Sequence, residues 1–299
     1  MTASLRLSVP DLGDPAQRQA FFEVAAAAAE EDGADAFNEQ ARLDLDAGRR
    51  SPVVATATGD AADGRVVAAG AVGRGELDLV VDPLFRGLGF GEAVLEGMLA
   101  SAAGSLTAWS HGAHPAAARL AERFGFVPVR RLLHLTAPVP PASSAPGPWP
   151  ISAPYSIEAF RPGADDEEWV AVNARIFSSH PEQGSLTVDD LRDRIDEPWF
   201  DADDLLVLRD GDGRMVGYDW VKVEDDAGEI YVLGVDPELA GQGLGRSLLR
   251  AGFARLADRG VSTADLYVEG DNESALALYR SAGFVDHTVD IQYRRDRTA

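Results

Sequence analysis

The sequence predicts an α/β protein made of two copies of one fold, each with a mixed sheet flanked by helices. Three observations lead to this prediction: an internal repeat, an uncharged linker near mid-chain, and alternating strand and helix patterns in the second half. A chain of 299 residues has the length of two ordinary domains. Its 45% of hydrophobic residues are enough for two cores.

The repeat consists of two pairs of aligned blocks. LVVDPLFRGLGFGEAVLEGML (79–99) aligns without a gap with LGVDPELAGQGLGRSLLRAGF (233–253), and HPAAARLAERFGF (114–126) aligns with NESALALYRSAGF (272–284). The blocks keep their order in both halves, which indicates a tandem repeat. The segment 137–154 is rich in Pro, Ala and Ser and has no charge, as is typical of a linker. We therefore expect an N-terminal domain over 1–136 and a C-terminal domain over 155–299.

Local patterns predict the elements of the second half. Apolar residues Trp169, Val172 and Ile176 share one helical face, Thr187 and Asp190 have the spacing of a capping box, and DGDG (210–213) is typical of a hairpin turn. The predicted elements, in order, are strand 155–160, helix 165–177, helix 187–195, strands 205–210, 215–223 and 229–235, helix 243–258, strand 264–270, helix 273–282 and a closing hairpin over 284–295.

Charge and composition exclude several function classes. The net charge of −22 disfavours binding to nucleic acid or to an anionic membrane surface, and it is compatible with a cationic small substrate. The chain has no cysteine, no long apolar run and no secretory signal pattern, so we expect a cytoplasmic protein without disulfides. Five scattered histidines predict no metal site.

The glycine-rich stretch VDPELAGQGLGRSLL (235–249) lies between a predicted strand and a predicted helix. It lacks the Gly-Lys-Ser/Thr ending of a phosphate-binding P-loop, and its spacing is G-x-G-x-G rather than G-x-G-x-x-G. Glycines let the backbone approach a ligand closely, and the first amides of a helix have no partner within it. Such a loop can hold a pyrophosphate through its backbone even in an acidic protein.

The pattern V-D-P-x5-G-x-G, followed by N-x-x-A-x-x-L-Y-x-x-x-G-F, resembles the GNAT acetyltransferases, and the resemblance covers both halves. It implies two tandem GNAT domains, each with a mixed, mostly antiparallel sheet, and acetyl-CoA as the acetyl donor. In the second half the implied acetyl-CoA contacts are Leu233, Gly234, Val235, Ala240, Gly241, Gln242, Gly243, Leu244, Gly245, Arg246, Asn272, Glu273, Ser274, Ala275, Leu276 and Ala277. In the first half they are Leu79, Val80, Val81, Arg86, Gly87, Leu88, Gly89, Phe90 and Gly91.

Four further segments, HPEQG (180–184), DWVKV (219–223), GEIYVLGVDP (228–237) and LYVEGDN (266–272), resemble the mycothiol synthases, a tandem GNAT family. The resemblance implies acetylation of the cysteinyl amine of cysteinyl-glucosaminyl-inositol. Because one chain already supplies both halves, we also expect a monomer. The substrate contacts that it implies are Glu39, Glu182, Lys222, Glu229 and Tyr267. Acetylation of an aminoglycoside, a polyamine or a protein N-terminus remains an alternative, as does a non-catalytic regulator that binds acetyl-CoA.

Acetyl transfer to an amine needs a base for the amine and an acid for the leaving thiolate. We assign Glu229 as the general base, and the resemblance places Tyr279 as the acid. In the first half, Ala121 occupies the position of Tyr279. Glu76 precedes Asp82 by six residues, whereas Glu229 precedes Asp236 by seven, and this difference reverses the face of the strand unless a bulge intervenes. We therefore expect a first domain that can hold a second acetyl-CoA but is catalytically silent.

Overall fold

The computed structural model describes residues 4–58, 64–141, 151–178 and 183–296, without the side chains of Ser4 and Glu39. The chain forms two compact units. Unit 1 comprises Met1–Leu132 and Thr288–Ala299, and unit 2 comprises Leu133–His287. No helix in the described part of the chain combines the length and the apolar character that a bilayer crossing requires.

These units differ at their ends from the two halves predicted from the sequence. Residues 133–136 belong to unit 2, where Val139 N–H donates to the carbonyl of Ser262. Residues Thr288–Ala299 belong to unit 1, because Ile291–Arg295 pair antiparallel with Leu106–Ser110. Each unit thus contains a strand segment from the C-terminal end of the other half of the sequence. The first two residues of the predicted linker lie in a strand that ends at Pro138, and residues 142–150 lie outside the described ranges.

Unit 1 is a mixed sheet with helices on both faces. Its elements are β1 (Ser4–Ser8), α1 (Pro15–Asp32), α2 (Glu39–Asp46), β2 (Ser51–Thr58), β3 (Val66–Gly73), β4 (Glu76–Val81), α3 (Phe90–Ser101), β5 (Leu106–Ser110), α4 (Pro115–Phe124), and the beginning of β6 (Val127–Pro138). Strands β1 to β4 pair antiparallel, and β4 pairs parallel with β5. One core packs α1 and α2 against the sheet, and a second packs α3 and α4 against its other face.

Unit 2 repeats this arrangement. Its elements, after the end of β6, are β7 (Ser156–Ala159), α5 (Asp166–Ile176), α6 (Val188–Ile195), β8 (Leu205–Arg209), β9 (Met215–Glu224), β10 (Ala227–Val235), α7 (Leu244–Asp258), β11 (Thr263–Glu269), α8 (Glu273–Ser281), and the beginning of β12 (Val285–Arg295). Strands β7 to β10 pair antiparallel, whereas β10 and β11 are parallel. The mixed α/β architecture predicted from the sequence is confirmed.

Two local predictions have different outcomes. The capping box at the start of α6 is present, because Thr187 Oγ1 accepts from Asp190 N–H and the Asp190 carboxylate accepts from Thr187 N–H. The predicted closing hairpin is wrong, since Val285–Arg295 forms one continuous strand. No glycine or proline interrupts DHTVDIQYRR, and its pairing with β5 extends it to Arg295.

Helix α7 packs closely on the sheet at Gly252. A Cβ atom added to Gly252 would overlap with Oδ2 of Asp219, a fully buried residue of β9. Because Asp219 cannot move away within the core, we expect Gly252→Ala to lower the free energy of unfolding by about 1–3 kcal/mol despite the higher helix propensity of alanine. Urea denaturation measures this. The same substitution should cost clearly less in an Asp219→Ala background, and an equal cost in both backgrounds would contradict the steric explanation.

Candidate active site

A cavity of about 190 Å³ in unit 2 brings together three of the residues predicted to bind substrate. They are Lys222 on β9, Glu229 on β10 and Tyr267 on β11. Three more side chains line the same cavity: His134, Glu224 and Asp265. The cavity therefore combines one cation, several carboxylates and two aromatic rings, which suits a polar substrate that carries an ammonium group.

Strand pairing places the central residues of this cavity. Glu229 is directly opposite Lys222 in the antiparallel β9–β10 pair, and it is beside Asp265 in the parallel β10–β11 pair. Lys222 Nζ lies 2.6 Å from Oε2 of Glu224 and 4.8 Å from the centre of the Trp199 ring. Its ammonium is therefore held by a carboxylate and by a cation–π contact at the side of Glu229.

Glu229 has an unusual acidity. Burial raises its pKa to about 7, the charge of Lys222 opposes the rise, and the charges of Asp265 and Glu224 add to it. A carboxyl group that titrates near neutral pH exchanges protons readily with an amine, since its basicity is closer to that of the group it must deprotonate.

His134 and Asp265 were not identified from the sequence. The His134 ring stacks on Tyr267 with centroids 4.6 Å apart, and its Nε2 lies 3.2 Å from Oδ1 of Asp265. His134 precedes the predicted linker and falls in the first predicted domain, so no local pattern connects it to this cavity. The sequence offered one indication for Asp265, namely that it lies two residues before Tyr267 in the same predicted strand and therefore on the same strand face.

Tyr279 is not among the residues that line this cavity. It is buried on α8, and its ring packs edge-on against Phe284 with centroids 5.8 Å apart. Burial raises the pKa of the Tyr279 phenol, and the charge of Asp219 adds to the rise. The sequence did not single out Asp219. Neither of its carboxyl oxygens has a hydrogen-bond partner among the described residues. Burial raises the pKa of Asp219 well above the ordinary value.

The glycine loop of unit 2 has the geometry of an anion site. Gly241 and Gly243 have φ angles of +80° and +79°, which favour glycine. Gly245 lies beside α8, since a Cβ added there would be in van der Waals contact with Leu278 at 3.4 Å. No side chain caps the start of α7, so its first amides remain available, and the exposed Arg246 makes no ion pair among the described residues.

The parallel strands β10 and β11 separate next to this loop. Their pairing is confined to Gly228 opposite Ala264 and Glu229 opposite Asp265. Asp236 N–H donates to Val216 on the β9 side. Because backbone N–H groups alternate in direction along a strand, the N–H of Val235 points to the opposite, β11 side. A ligand in the gap would therefore meet the edge of β10 between Glu229, the last residue paired with β11, and the glycine loop.

Unit 1 contains a cavity of about 530 Å³ beside its own glycine loop, and the counterpart of this loop in unit 2 does not line the 190 Å³ cavity. Most of the predicted first-half contacts line it: Leu79, Val80, Val81, Arg86, Gly87, Gly89, Phe90 and Gly91. Leu88 does not, and it is exposed. Arg86 is held by two hydrogen bonds of 2.7 Å to Asp32, so its guanidinium braces the loop. Ala121 lies in the wall of the cavity, and its methyl side chain carries no hydroxyl at the position that Tyr279 occupies in unit 2.

The inference that Glu76 faces the opposite side from Glu229 is wrong. The register of β10 shifts between Ile230 and Val232, and this β-bulge absorbs the extra residue. Glu76 lies on the same strand face as Val80, which packs in the core with α1. Glu229 lies on the corresponding face of β10, the face that also carries its neighbour Lys222 beside Trp199. Glu76 differs in its partner, because it forms an ion pair with the buried Arg50.

Two predicted substrate contacts cannot be placed. Glu182 lies outside the described residues, and so does the side chain of Glu39. The neighbour of Glu182 is well anchored: Gln183 donates through Nε2 to Asn173 Oδ1 at 3.0 Å, and its carbonyl accepts from Asn173 Nδ2 at 2.6 Å. Tyr218 donates to the same Asn173 oxygen at 2.6 Å. These contacts hold the end of the HPEQG segment on α5.

Two units, each with a mixed sheet and a glycine loop that opens a helix, define a tandem acetyltransferase fold. The chain belongs to the acetyltransferase (GNAT) family, whose model matches residues 9–126 and 169–284. A mycothiol acetyltransferase of Clavibacter michiganensis subsp. michiganensis is 49% identical over 271 residues, which cover 89% of this chain and 87% of that protein. A mycothiol acetyltransferase of Salinispora arenicola is 41% identical over 310 residues, with coverage of 98% and 97%.

Solved structures support the fold. A GCN5-related N-acetyltransferase from Sphaerobacter thermophilus superposes with a TM-score of 0.69 at 24% identity, over 98% of this chain and 95% of that one. A tandem GNAT protein from the clavulanic acid biosynthesis pathway gives a TM-score of 0.67 at 16% identity, over 99% of both chains. The resemblance to two tandem GNAT domains is thereby confirmed.

Proposed function

We propose that this chain transfers an acetyl group from acetyl-CoA to the cysteinyl amine of cysteinyl-glucosaminyl-inositol, the last step of mycothiol biosynthesis. The observation that carries the proposal is the cavity in which Glu229, with a pKa near 7, lies between Lys222 and Asp265. The choice of substrate is supported by relatives named mycothiol acetyltransferases, which align with most of the chain. We expect the enzyme to work in the cytoplasm as a monomer.

The residues of unit 2 fit the acetyl donor. Bound acetyl-CoA would supply an activated thioester carbonyl, with its pyrophosphate at the amides of residues 241–246 and its chain along 233–235. The fit rests on the left-handed glycines and the uncapped start of α7. At the α8 end, the Asn272 Oδ1 oxygen already accepts from Ala275 N–H, so residues 272–277 would contribute backbone and surface rather than that oxygen.

Each catalytic task then has a residue. Glu229 takes the proton of the substrate ammonium, directly or through water, and Lys222 and Glu224 hold the polar groups beside it. The Val235 N–H is directed into the gap between β10 and β11, where it can polarise the carbonyl. Tyr279 keeps its phenol protonated throughout the neutral range, because its pKa is raised, and it donates that proton towards the leaving sulfur.

The size of the cavity limits what it can hold. Its 190 Å³ is below the roughly 300–1,000 Å³ of sites that enclose a whole drug-sized ligand. The cysteinyl end of the substrate would fit inside, and the sugar and inositol would extend past Lys222. This arrangement is compatible with a long amine of which only one end is enclosed.

A comparison of amines tests the proposal. Initial rates with acetyl-CoA are measured by mass spectrometry for cysteinyl-glucosaminyl-inositol, for glucosaminyl-inositol without the cysteine, for an aminoglycoside and for spermidine. The proposal predicts the highest kcat/KM for the first compound. Faster acetylation of the aminoglycoside or the polyamine would overturn the substrate assignment, and binding of acetyl-CoA without turnover of any amine would favour a regulator.

A second acetyl-CoA is expected in unit 1. Isothermal titration calorimetry should find two molecules per wild-type chain and one in Gly89→Asp, because this substitution adds a carboxylate and a side chain at a position with φ of +83° in the predicted phosphate loop. If unit 1 is catalytically silent, Gly89→Asp should keep its rate of acetyl transfer within about twofold. A complete loss of turnover in a variant that remains folded would contradict the silent assignment.

A further inference from the structure

Asp265 and His134 form a polar pair beside Glu229, and no role has yet been assigned to them. Glu229 and Asp265 are register partners on adjacent parallel strands, so their side chains leave the same face of the sheet. Both line the 190 Å³ cavity. Two neighbouring carboxyl groups repel each other when both are ionised, so the charge of Asp265 adds to the rise in the pKa of Glu229.

His134 contacts Asp265 through one hydrogen bond, and two aromatic rings contact His134 in turn. Since a carboxylate can only accept, the His134 Nε2–H donates to Asp265 Oδ1 across 3.2 Å. The ring is itself held by Tyr267, on which it stacks at 4.6 Å with an angle of 12° between the planes. His287 meets the same ring edge-on at 5.0 Å. The other charged groups of the cavity are Lys222 and Glu224, both on β9.

We infer that Asp265 is a positioning residue for the general base Glu229, and that His134 holds Asp265 in place. This inference rests on the proposed acetyl transfer. The negative charge of Asp265 makes Glu229 a stronger base than burial alone would, and it also attracts the substrate ammonium towards Glu229. Neither residue takes the proton of the amine.

Titration of Glu229 tests the inference without substrate. The full chain, labelled with ¹³C-glutamate, is titrated by NMR, and the Glu229 signal is identified by its loss in Glu229→Gln. Asp265→Asn should lower the pKa of Glu229 by about half to one pH unit, because a neighbouring negative charge is removed. Asp258→Asn, at the exposed end of α7, is the matched control and should leave the pKa unchanged.

His134→Phe separates a positioning role from a merely structural one. It keeps an aromatic ring on Tyr267 but removes the hydrogen bond to Asp265. It should shift the pKa of Glu229 by at least about 0.3 pH unit in the wild-type background and not at all in Asp265→Asn. Equal shifts in both backgrounds, or an unchanged pKa in Asp265→Asn, would overturn the inference.

Kinetics then connect the titration to the proposed function. The acid limb of the kcat/KM profile should move to lower pH in Asp265→Asn by the same amount as the pKa of Glu229. If the wild type acetylates none of the tested amines, the proposed function fails, while the NMR result still decides whether Asp265 and His134 act on Glu229. A pKa shift without movement of the acid limb would show that Glu229 is not the base, and the positioning role would fall with it.

Discussion

Glu229→Gln is expected to lower kcat/KM for the cysteinyl amine by about 10²- to 10⁴-fold, the usual contribution of a positioned general base. An amide occupies almost the same volume as the carboxyl group but cannot take a proton from the ammonium. Initial rates at saturating acetyl-CoA measure the effect. Glu167→Gln, on the exposed side of α5, is the matched control and should retain wild-type activity.

The same residue determines the pH dependence. The base is active when ionised, so the wild-type kcat/KM should fall as the pH decreases through about 7, the pKa of Glu229. The effect on stability has the opposite sign. A carboxyl group whose pKa is raised in the folded state favours folding at low pH, and this contribution is lost as the pH rises through about 7. Glu229→Gln should therefore be at least as stable as the wild type at pH 8.

These two properties make the result of the substitution unambiguous. A variant that is inactive and fully folded at pH 8 agrees with a catalytic role. A kcat/KM within about threefold of the wild type, or an acid limb that stays near pH 7 in Glu229→Gln, would show that another group accepts the proton.

Tyr279→Phe is expected to lower kcat by about 10²-fold, the low end of the range for general acid catalysis. The phenol is buried and its pKa is raised by burial and by the charge of Asp219, so it stays protonated and can donate to the leaving sulfur. Phenylalanine keeps the edge-on contact with Phe284 and removes only the hydroxyl. Single-turnover rates with preformed donor complex isolate the chemical step.

The control for this substitution is Tyr293→Phe, which removes the hydroxyl of a largely buried tyrosine in the cavity of unit 1. It should leave kcat unchanged. A further test uses a donor with a more acidic leaving thiol, which needs less help from an acid and should recover much of the lost rate in Tyr279→Phe. If the acidic thiol speeds the wild type and the variant equally, Tyr279 does not protonate the sulfur.

The repeated blocks made the fold and the glycine loops predictable, because their constraints are local. Left-handed backbone at Gly241 and Gly243 favours glycine, and this constraint is local to the loop. The capping box at Thr187 is local in the same sense. Lys222, Glu229 and Tyr267 could be grouped through the segments that carry them, and the structure places all three in one cavity.

The remaining features depend on distant parts of the chain. The bulge at Tyr231 changes which face Glu229 occupies, and no residue type marks it in the sequence. The continuation of β12 to Arg295 follows from pairing with β5, almost 200 positions earlier. His134 reaches the cavity because β6 ends in unit 2, beside β11. Hydrophobic periodicity reports the local period of a strand, and it does not report the strand's neighbour.

The central claim is that unit 2 acetylates a cysteinyl nitrogen through Glu229. Tandem mass spectrometry of the product formed from acetyl-CoA and cysteinyl-glucosaminyl-inositol tests it most directly, because fragmentation distinguishes N-acetyl from S-acetyl cysteine. The account predicts one acetyl group on nitrogen, formed by the wild type and nearly absent with Glu229→Gln. An acetyl group on sulfur or on a sugar hydroxyl, or an undiminished yield of N-acetyl product from Glu229→Gln, would contradict it.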